Sequence, residues 1–503
     1  MPDRDSDGLL VVAPLRIEAR ALRTGLHPDT VVHAGPRARH GSRVHAAART
    51  VGGPVVIAGV AGGLRSDMSP GDLVVADQLR STRECVPLPA VALLVAALRR
   101  AGHTVHTGPV VESDHLVDGS DRERLAESGA IAVDMESAWL VESLGSRGAC
   151  VVRAVSDTPH RGVRSPAVLR NGRDALSALS GLGPILREWA RVRADRNVLL
   201  AMPRSFCAGV ERAIEIVERA LAQRGAPVYV RRQIVHNTRV VRDLEGRGAR
   251  FVTELDEIPD GATVVFSAHG VSPAVRAEAG RRELDVVDAT CPLVSKVHRE
   301  ANRFANDGHT VFLIGHADHD ETEGTMGQQP EHLRLVQRPE DVAELEVADP
   351  QKVSYLTQTT LAADEADAVA NTLRERFPAL RGPSSDDICY ATTNRQQAVR
   401  EVSSRCDVVL VAGSRNSSNS LRLVEVAQRE GTTAYLVDDV SELELGWFAG
   451  AGTVGVSAGA SAPPEMVDDI VHALSGLGEL EIAEHTVTTE NVNFGVPKEV
   501  REA

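Results

Sequence analysis

The sequence predicts an α/β protein built as two bodies in one chain, and three observations carry that expectation. Its 503 residues exceed what one hydrophobic core organises, at roughly 150 residues per domain. Apolar runs that end in small polar loops and feed helical stretches recur from end to end, the grammar of strands alternating with helices. Between Pro184 and Arg204, "PILREWARVRADRNVLLAMPR" passes from an Arg-rich helical segment into a new strand near Val198, dividing the chain into residues 1–195 and 196–503.

In the first body, strands are expected at "GLLVVAPL", "PVVIAGVAGG", "GDLVVADQL" and "ACVVRAVSD". In the second, strand, loop and helix follow one another in "NVLLAMPRSFCAGVERAIEIV", "PVYVRRQIVHNTRVV", "TVVFSAHGVSPAVRAEA" and "LDVVDATCPLVSKVHREA". The series continues through "TVFLIGHADHDETEGT", "KVSYLTQTTLAADEADAV", "DICYATTNRQQAVREV", "DVVLVAGSRNSSNSLRLVEVA" and "TVGVSAGASAPPEMVDDIV". Ligands of open parallel sheets sit beyond the carboxyl ends of the strands, where loops and helix N-termini converge. Nearly every polar group of interest lies at such an end, which predicts several α/β lobes facing one central cavity.

A formal charge of -15 argues against broad nucleic-acid binding, which needs basic surface. Hydrophobic residues make up 43% and aromatic ones only 3%, so packing must rest on Val, Leu, Ala and Ile. The start "MPDRDSDGLLVV" has no basic leader pattern, and the apolar run "VPLPAVALLVAAL" is too short to span a bilayer. A cytoplasmic protein is expected, and its six scattered cysteines do not read as a disulfide framework.

Cys207, Cys291 and Cys389 each precede a helical run and read as strand-to-helix junctions, where the helix dipole is expected to lower the thiol pKa. Cys85, Cys150 and Cys406 lack that setting and are expected to be buried. Separations of 84 and 98 residues between the three junction cysteines form no local metal motif. The residues alone leave open a zinc ion with a fourth ligand, an iron–sulfur cluster with one iron lacking a protein ligand, or three buried thiols. His236, His269 and His319 also follow expected strands. Ser417, Ser418, Asn419 and Ser461 precede helices, as N-caps and as donors of the kind a diphosphate needs. Glu321, two residues after His319, is the candidate acid, with its pKa expected to rise in a closed pocket. Thr359 is placed to orient that carboxyl or a substrate.

The ordered set "PRSFCAGVERAI", "FSAHGVS", "DATCPLVSKVH", "EGTMGQ", "TQTTL", "DDICYATTNRQ", "GSRNSSNS" and "AGASAP" resembles the 4-hydroxy-3-methylbut-2-enyl diphosphate reductase family of the non-mevalonate isoprenoid pathway, from about residue 197 onward. The resemblance implies a 4Fe-4S cluster on Cys207, Cys291 and Cys389, with the fourth iron left for the hydroxyl of an allylic diphosphate. It implies Glu321 as proton donor. It also implies a diphosphate pocket of His236, His269, His319, Ser417, Ser418, Asn419 and Ser461, and a substrate contact from Thr359. The products implied are isopentenyl and dimethylallyl diphosphates, with electrons from a donor such as ferredoxin or flavodoxin with its reductase. One departure is Asp320, where the family typically has proline. Thr392, Thr393 and Asn394 read as the helix entrance facing this site.

Residues 8 to about 190 resemble, more loosely, the nucleoside phosphorylase and nucleosidase superfamily through "APLRIEARAL", "GVAGGLRSDMSPGDLVVAD", "AVDMESAWLVE" and "VVRAVSDTP". That resemblance implies N-glycosidic cleavage of a purine nucleoside. Met135 and Glu136 would meet the ribose, Asp157 would protonate the base, and Glu18 would stand on the water or ribose side. A "GVAGGL" turn with Gly59, Gly62 and Gly63 would let backbone approach the ligand. No base-stacking Phe stands between Asp77 and Glu112. The fold implied is a phosphorylase-like α/β domain followed by three α/β lobes around a central iron–sulfur cluster. The rival reading is a zinc-dependent hydrolase using the same cysteines, behind a catalytically silent interaction module.

Overall fold

The computed structural model describes residues 8–36, 41–81, 84–144, 149–160 and 166–501, so the first seven residues, read above for a leader, lie outside the described residues. Two compact units emerge. The first comprises Met1–Asn197 with Asp439–Gly452 and Asp469–Glu481, and the second Val198–Asp438, Thr453–Asp468 and Ile482–Ala503. No helix among the described residues is long and apolar enough to cross a membrane.

The first unit is built on an eight-stranded mixed sheet. Val55–Gly63 pairs parallel with Ala149–Asp157 and antiparallel with Ala132–Asp134, while Leu73–Arg80 pairs parallel with Val105–Glu112 and antiparallel with Ala149–Asp157. Because Val105–Glu112 also pairs with Ala132–Asp134, these five strands close on themselves. The runs are Val-rich and buried on both faces, as in Leu10–Ala13 and the first five residues of Val55–Gly63, because helices and the closed sheet cover each side.

This closure corrects the glycine reading. "GVAGG" is the second half of the nine-residue strand Val55–Gly63 and not a turn. A Cβ on Gly59 would collide with Arg153 Nη1 and stand 2.8 Å from Glu18 Oε1, and one on Gly62 would meet Arg122 Nη2 at 2.8 Å. The glycines make room for side chains delivered by other strands and helices, a common reason for glycine inside a strand. Cys85 is a second correction. It is exposed, because Cys85–Pro87 is an edge strand paired only with Leu73–Arg80. Cys150 is buried and Cys406 half-buried.

The second unit holds three lobes, each with its own sheet. Ala249–Val252, Val228–Arg231, Thr263–Phe266 and Asp285–Asp288 form a parallel four-stranded sheet. Leu333–Val336, Thr310–Ile314 and Val353–Thr357 form a parallel three-stranded sheet. The third sheet has the order Thr433–Val437, Val408–Ala412, Thr453–Ala458, Arg196–Met202, Leu480–Thr486. The unit's first and last strands therefore share one sheet, and the chain must leave that lobe, build the other two and return. All three lobes consequently present strand ends and helix starts to a common centre.

Candidate active site

Each of the three junction cysteines is the N-cap of a helix: Cys207 for Ala208–Arg224, Cys291 for Pro292–Asn306 and Cys389 for Tyr390–Ser403. None spends its side chain on a capping bond. The expected preceding strand is present for Cys207 and Cys291 but not for Cys389, which follows a loop. That loop is fixed from the three-stranded lobe. Asp387 Oδ2 accepts from Thr357 N at 3.0 Å, Lys296 Nζ lies 2.9 Å from Asp387 Oδ1, and Cys389 N donates to Thr359 O at 2.9 Å.

All three thiols line one cavity of about 100 Å³ together with His236, His269, His319, Glu321, Thr359, Ser417, Ser418, Asn419 and Ser461. The anticipated cluster, acid and diphosphate residues are thus brought to a single pocket, whereas Thr393, which is exposed, and Asn394, which donates to Glu490, do not line it. Thr392 lines it too, and its hydroxyl donates to Thr359 O at 3.1 Å.

The thiol pKa values run opposite to the expectation from helix dipoles. Burial pushes Cys207 up, Cys291 up to about 11 and Cys389 up to about 12, while the backbone N–H groups of the helix starts pull only partly back. Three neighbouring half-buried thiols whose pKa values are raised gain nothing by ionising unless positive charge arrives with the ligand, which is the condition thiolate-bound metal satisfies. Gly209 keeps the space between them open, since a Cβ there would stand 2.8 Å from Cys291 Sγ and 3.8 Å from Cys207 Sγ. The sulfurs are too widely spread for a single ion. Among the described residues no trio containing a cysteine brings its donor atoms within 4.8 Å of one another, whereas tetrahedral zinc needs sulfurs about 3.8 Å apart. Soft donors, wide spacing and an open cradle fit a multi-iron cluster.

The histidines form the opposite wall. His236 stacks on His269 with ring centroids 4.0 Å apart, and His319 stands edge-on to them at 5.2 and 5.6 Å. Burial lowers all three pKa values, His319 to about 4, so the rings are neutral at physiological pH. Nδ1 of His319 accepts Glu321 N at 3.1 Å, which leaves its proton on Nε2. Nδ1 of His236, Nδ1 of His269 and Oγ of Ser418 are buried without a partner, which leaves hydrogen-bonding capacity open for a ligand. Ser417 caps the helix Ser418–Arg429 by accepting from Ser420 N, so capping and ligand binding share one geometry here. Ser461 Oγ donates to His236 O at 3.0 Å, and Asn419 Oδ1 accepts Ala460 N at 2.8 Å, joining the third lobe to the first and fixing the loop before Cys207.

Glu321, 2% exposed, lies in the first turn of the helix Asp320–Met326. Thr359 N donates to its Oε1 at 2.7 Å and Thr359 Oγ1 to its Oε2 at 2.9 Å. Burial nevertheless pushes its pKa up to about 7, so the acid is partly protonated at neutral pH. Arg395 and Glu490 were not foreseen. The fully buried Arg395 donates to Ser205 O at 2.7 Å and Phe206 O at 3.1 Å and pairs with Glu490 at 2.9 Å, so the C-terminal segment braces the loop leading to Cys207. The arginine in "TTNRQQ" was the available signal, and the sequence around Glu490 carries none.

In the first unit two of the four anticipated site residues line one cavity, and Glu18 acts electrostatically on Glu136 from beside it. Met135 and Glu136 line a cavity of about 520 Å³ with Glu112, His115 and Trp139. Glu18 and Asp157 do not line that cavity. Glu18, 1% exposed, accepts Val60 N at 2.8 Å and Leu15 N at 2.7 Å, and its pKa is raised by burial against the pull of Arg153. Arg153 is paired at 2.5 Å with Asp134 and donates to Ser137 Oγ at 2.6 Å. Asp157 Oδ2 is held by the buried guanidinium of Arg122.

Residues 198–475 match the family model described as LytB protein, and residues 42–182 match that of the Phosphorylase superfamily. Over 324 residues the chain is 59% identical to 4-hydroxy-3-methylbut-2-enyl diphosphate reductase 2 of Mycobacterium bovis, an alignment spanning 64% of this chain and 98% of that protein. It is 54% identical over 309 residues to the reductase of the same name from Azoarcus sp., spanning 61% and 99%. The solved structure of the E-1-hydroxy-2-methyl-but-2-enyl-4-diphosphate reductase from Plasmodium falciparum superposes with a TM-score of 0.59 at 35% identity, over 61% of this chain and 97% of that one. By the match of its larger unit, this chain belongs to the LytB protein family.

Proposed function

We propose that the second unit reduces (E)-4-hydroxy-3-methylbut-2-enyl diphosphate to isopentenyl and dimethylallyl diphosphates. The observation that carries this reading is the convergence of three thiols, three histidines and a protonatable buried glutamate on one cavity. In the overall reaction the allylic C–O bond breaks, a C–H bond forms, two electrons and two protons are consumed, and water leaves. Cys207, Cys291 and Cys389 would hold a 4Fe-4S cluster, which when bound supplies the electrons and a Lewis-acidic iron. The three histidines, Ser417, Ser418, Asn419 and Ser461 bind the diphosphate and fix its position. Glu321 delivers a proton from a carboxyl kept near neutral pKa by burial. Thr359 orients that carboxyl with two hydrogen bonds and faces the substrate. Electrons come from a ferredoxin or flavodoxin with its reductase, and six free cysteines suit a cytoplasmic setting.

The deciding experiment is anaerobic purification with iron, sulfide and zinc analysis, followed by turnover of the allylic diphosphate with a chemically reduced donor. Cluster-loaded protein that forms both products supports the reading, and single serine replacements of the three cysteines lose iron. Stoichiometric zinc with no sulfide would return the protein to the hydrolase alternative.

For the first unit, the phosphorylase-superfamily match and the cavity beside Met135 and Glu136 support purine nucleoside binding and N-glycosidic cleavage. Arg122 must release Asp157 before that carboxyl can pass a proton to a base. Adenine release from adenosyl substrates, abolished in Asp157→Asn, tests the activity. No release from any nucleoside offered would leave a binding module.

A further inference from the structure

We propose that Asp320 is a positioning residue of the diphosphate pocket, joined to Arg232 in an ion-pair latch between two lobes and turned toward the Nε2 edge of His236. The proposal rests on the reading of that pocket given above. Arg232 follows the strand Val228–Arg231 of the four-stranded lobe, whereas Asp320 begins the helix Asp320–Met326 beyond the three-stranded lobe's strand Thr310–Ile314. Arg232 Nη1 donates to Asp320 Oδ1, and Nη2 lies 2.7 Å from Glu323 Oε2 and 3.2 Å from Glu254 Oε1. Arg231 completes the set with Glu254 at 2.7 Å and Glu323 at 3.5 Å.

Two features single out the Arg232–Asp320 pair. The side chains of Glu254 and Glu323 are 48% and 52% exposed and therefore well screened, but those of Arg232 and Asp320 are only 23% and 19% exposed. Arg232 also sits at φ 57°, a left-handed conformation that a residue with a side chain holds only where its surroundings enforce it. The second oxygen of Asp320 then lies 3.9 Å from His236 Nε2, within ion-pair range.

The groups facing His236 are Asp320 and His319 from the second lobe, with Arg232 and the stacked His269 from the first. Asp320 Oδ2, 3.9 Å away, is beyond hydrogen-bond range but electrostatically favours a proton on Nε2, while Nδ1 is left without a partner. In the neutral tautomer with its proton on Nε2 that atom only accepts, so it donates to a diphosphate oxygen when His236 takes up a second proton. Asp320 supplies the counter-charge for that imidazolium, and Arg232 keeps the aspartate from repelling the incoming anion. Asp320 thus acts on diphosphate through His236 without touching it.

The test uses anaerobically reconstituted holoenzyme. Asp320→Asn is expected to raise KM for the allylic diphosphate about tenfold, the scale of one charge-assisted hydrogen bond, with the change concentrated in KM. Inorganic pyrophosphate, titrated by calorimetry in buffers of different ionisation enthalpy, should take up fewer protons on binding to Asp320→Asn than to the wild type. Asp320→Glu should restore most of both properties. Arg232→Gln leaves the first turn of the helix intact and should reproduce the KM change, with the double variant no worse than the poorer single one. Wild-type KM and proton uptake in Asp320→Asn, or additive effects in the double variant, would overturn the proposal while leaving the reductase reading in place. A wild-type holoenzyme that neither turns over the substrate nor binds pyrophosphate would overturn both.

Discussion

Replacing Thr359 by valine removes one of the two bonds that hold the Glu321 carboxylate and leaves the other. Valine matches threonine in shape, so the backbone N–H 2.7 Å from Oε1 stays while the hydroxyl 2.9 Å from Oε2 is lost. Burial is the largest influence on Glu321 and raises its pKa to about 7, and the two Thr359 bonds pull it back. A hydrogen bond to a charged group contributes about 1.5–3 kcal/mol, and one pKa unit corresponds to about 1.4 kcal/mol. Loss of the hydroxyl should therefore raise the Glu321 pKa by about one to two units. The sign follows from the role. A proton donor works in its protonated form, so the rate supported by Glu321 falls as pH rises through its pKa. The alkaline limb of kcat for Thr359→Val should lie about one to two units above that of the wild type. The assay is turnover of cluster-loaded enzyme from neutral to alkaline pH under anaerobic conditions with saturating substrate, and the readout is the difference between the two limbs. An unmoved or acid-shifted limb in Thr359→Val would refute the account. So would a Glu321→Gln enzyme that keeps both its rate and the wild-type limb.

Gly209→Ala places a methyl 2.8 Å from Cys291 Sγ, so the variant should retain less than half of the wild-type iron and sulfide, whereas Gly280→Ala, which meets nothing within 4 Å, should load normally. Lys296→Met removes one partner of Asp387, whose side chain is 0% exposed, and should lower stability by about 1–3 kcal/mol in urea melts while loosening the loop before Cys389. Glu321→Gln should flatten the pH dependence of stability of the cluster-free protein. The folded pKa of about 7 stands above the ordinary 4.5, so the group's contribution is fully present below pH 4.5 and lost as pH rises through 7. The shift of about 2.5 units sets an upper limit of about 3 kcal/mol on the gain of the variant over wild type at alkaline pH. Parallel melting curves for the two proteins across that range would contradict it.

What the sequence made legible, and what it hid, divide along the range of the forces involved. Helix starts are local events, so the positions of Cys207, Cys291, Cys389, His319 and Ser417 as caps could be read from their neighbours. The apolar look of "DICY" also suggested a strand, but Asp387 is committed to Thr357 N on a strand thirty residues earlier, and that bond fixes a loop instead. The glycines of Val55–Gly63 looked like a turn for a similar reason. Only closure of the sheet shows that Arg153, Glu18 and Arg122 arrive beside them from other elements. The thiols show the division most sharply. The helix N-terminus that should lower their pKa is encoded within four residues of each, whereas the burial that raises it comes from three lobes at once. The same dry pocket keeps Glu321 protonated near neutral pH. A ligand that brought positive charge only to the sulfurs would ionise the thiols while leaving the acid its proton. Both halves of a reductive protonation can therefore be assembled from a single physical cause, the exclusion of water.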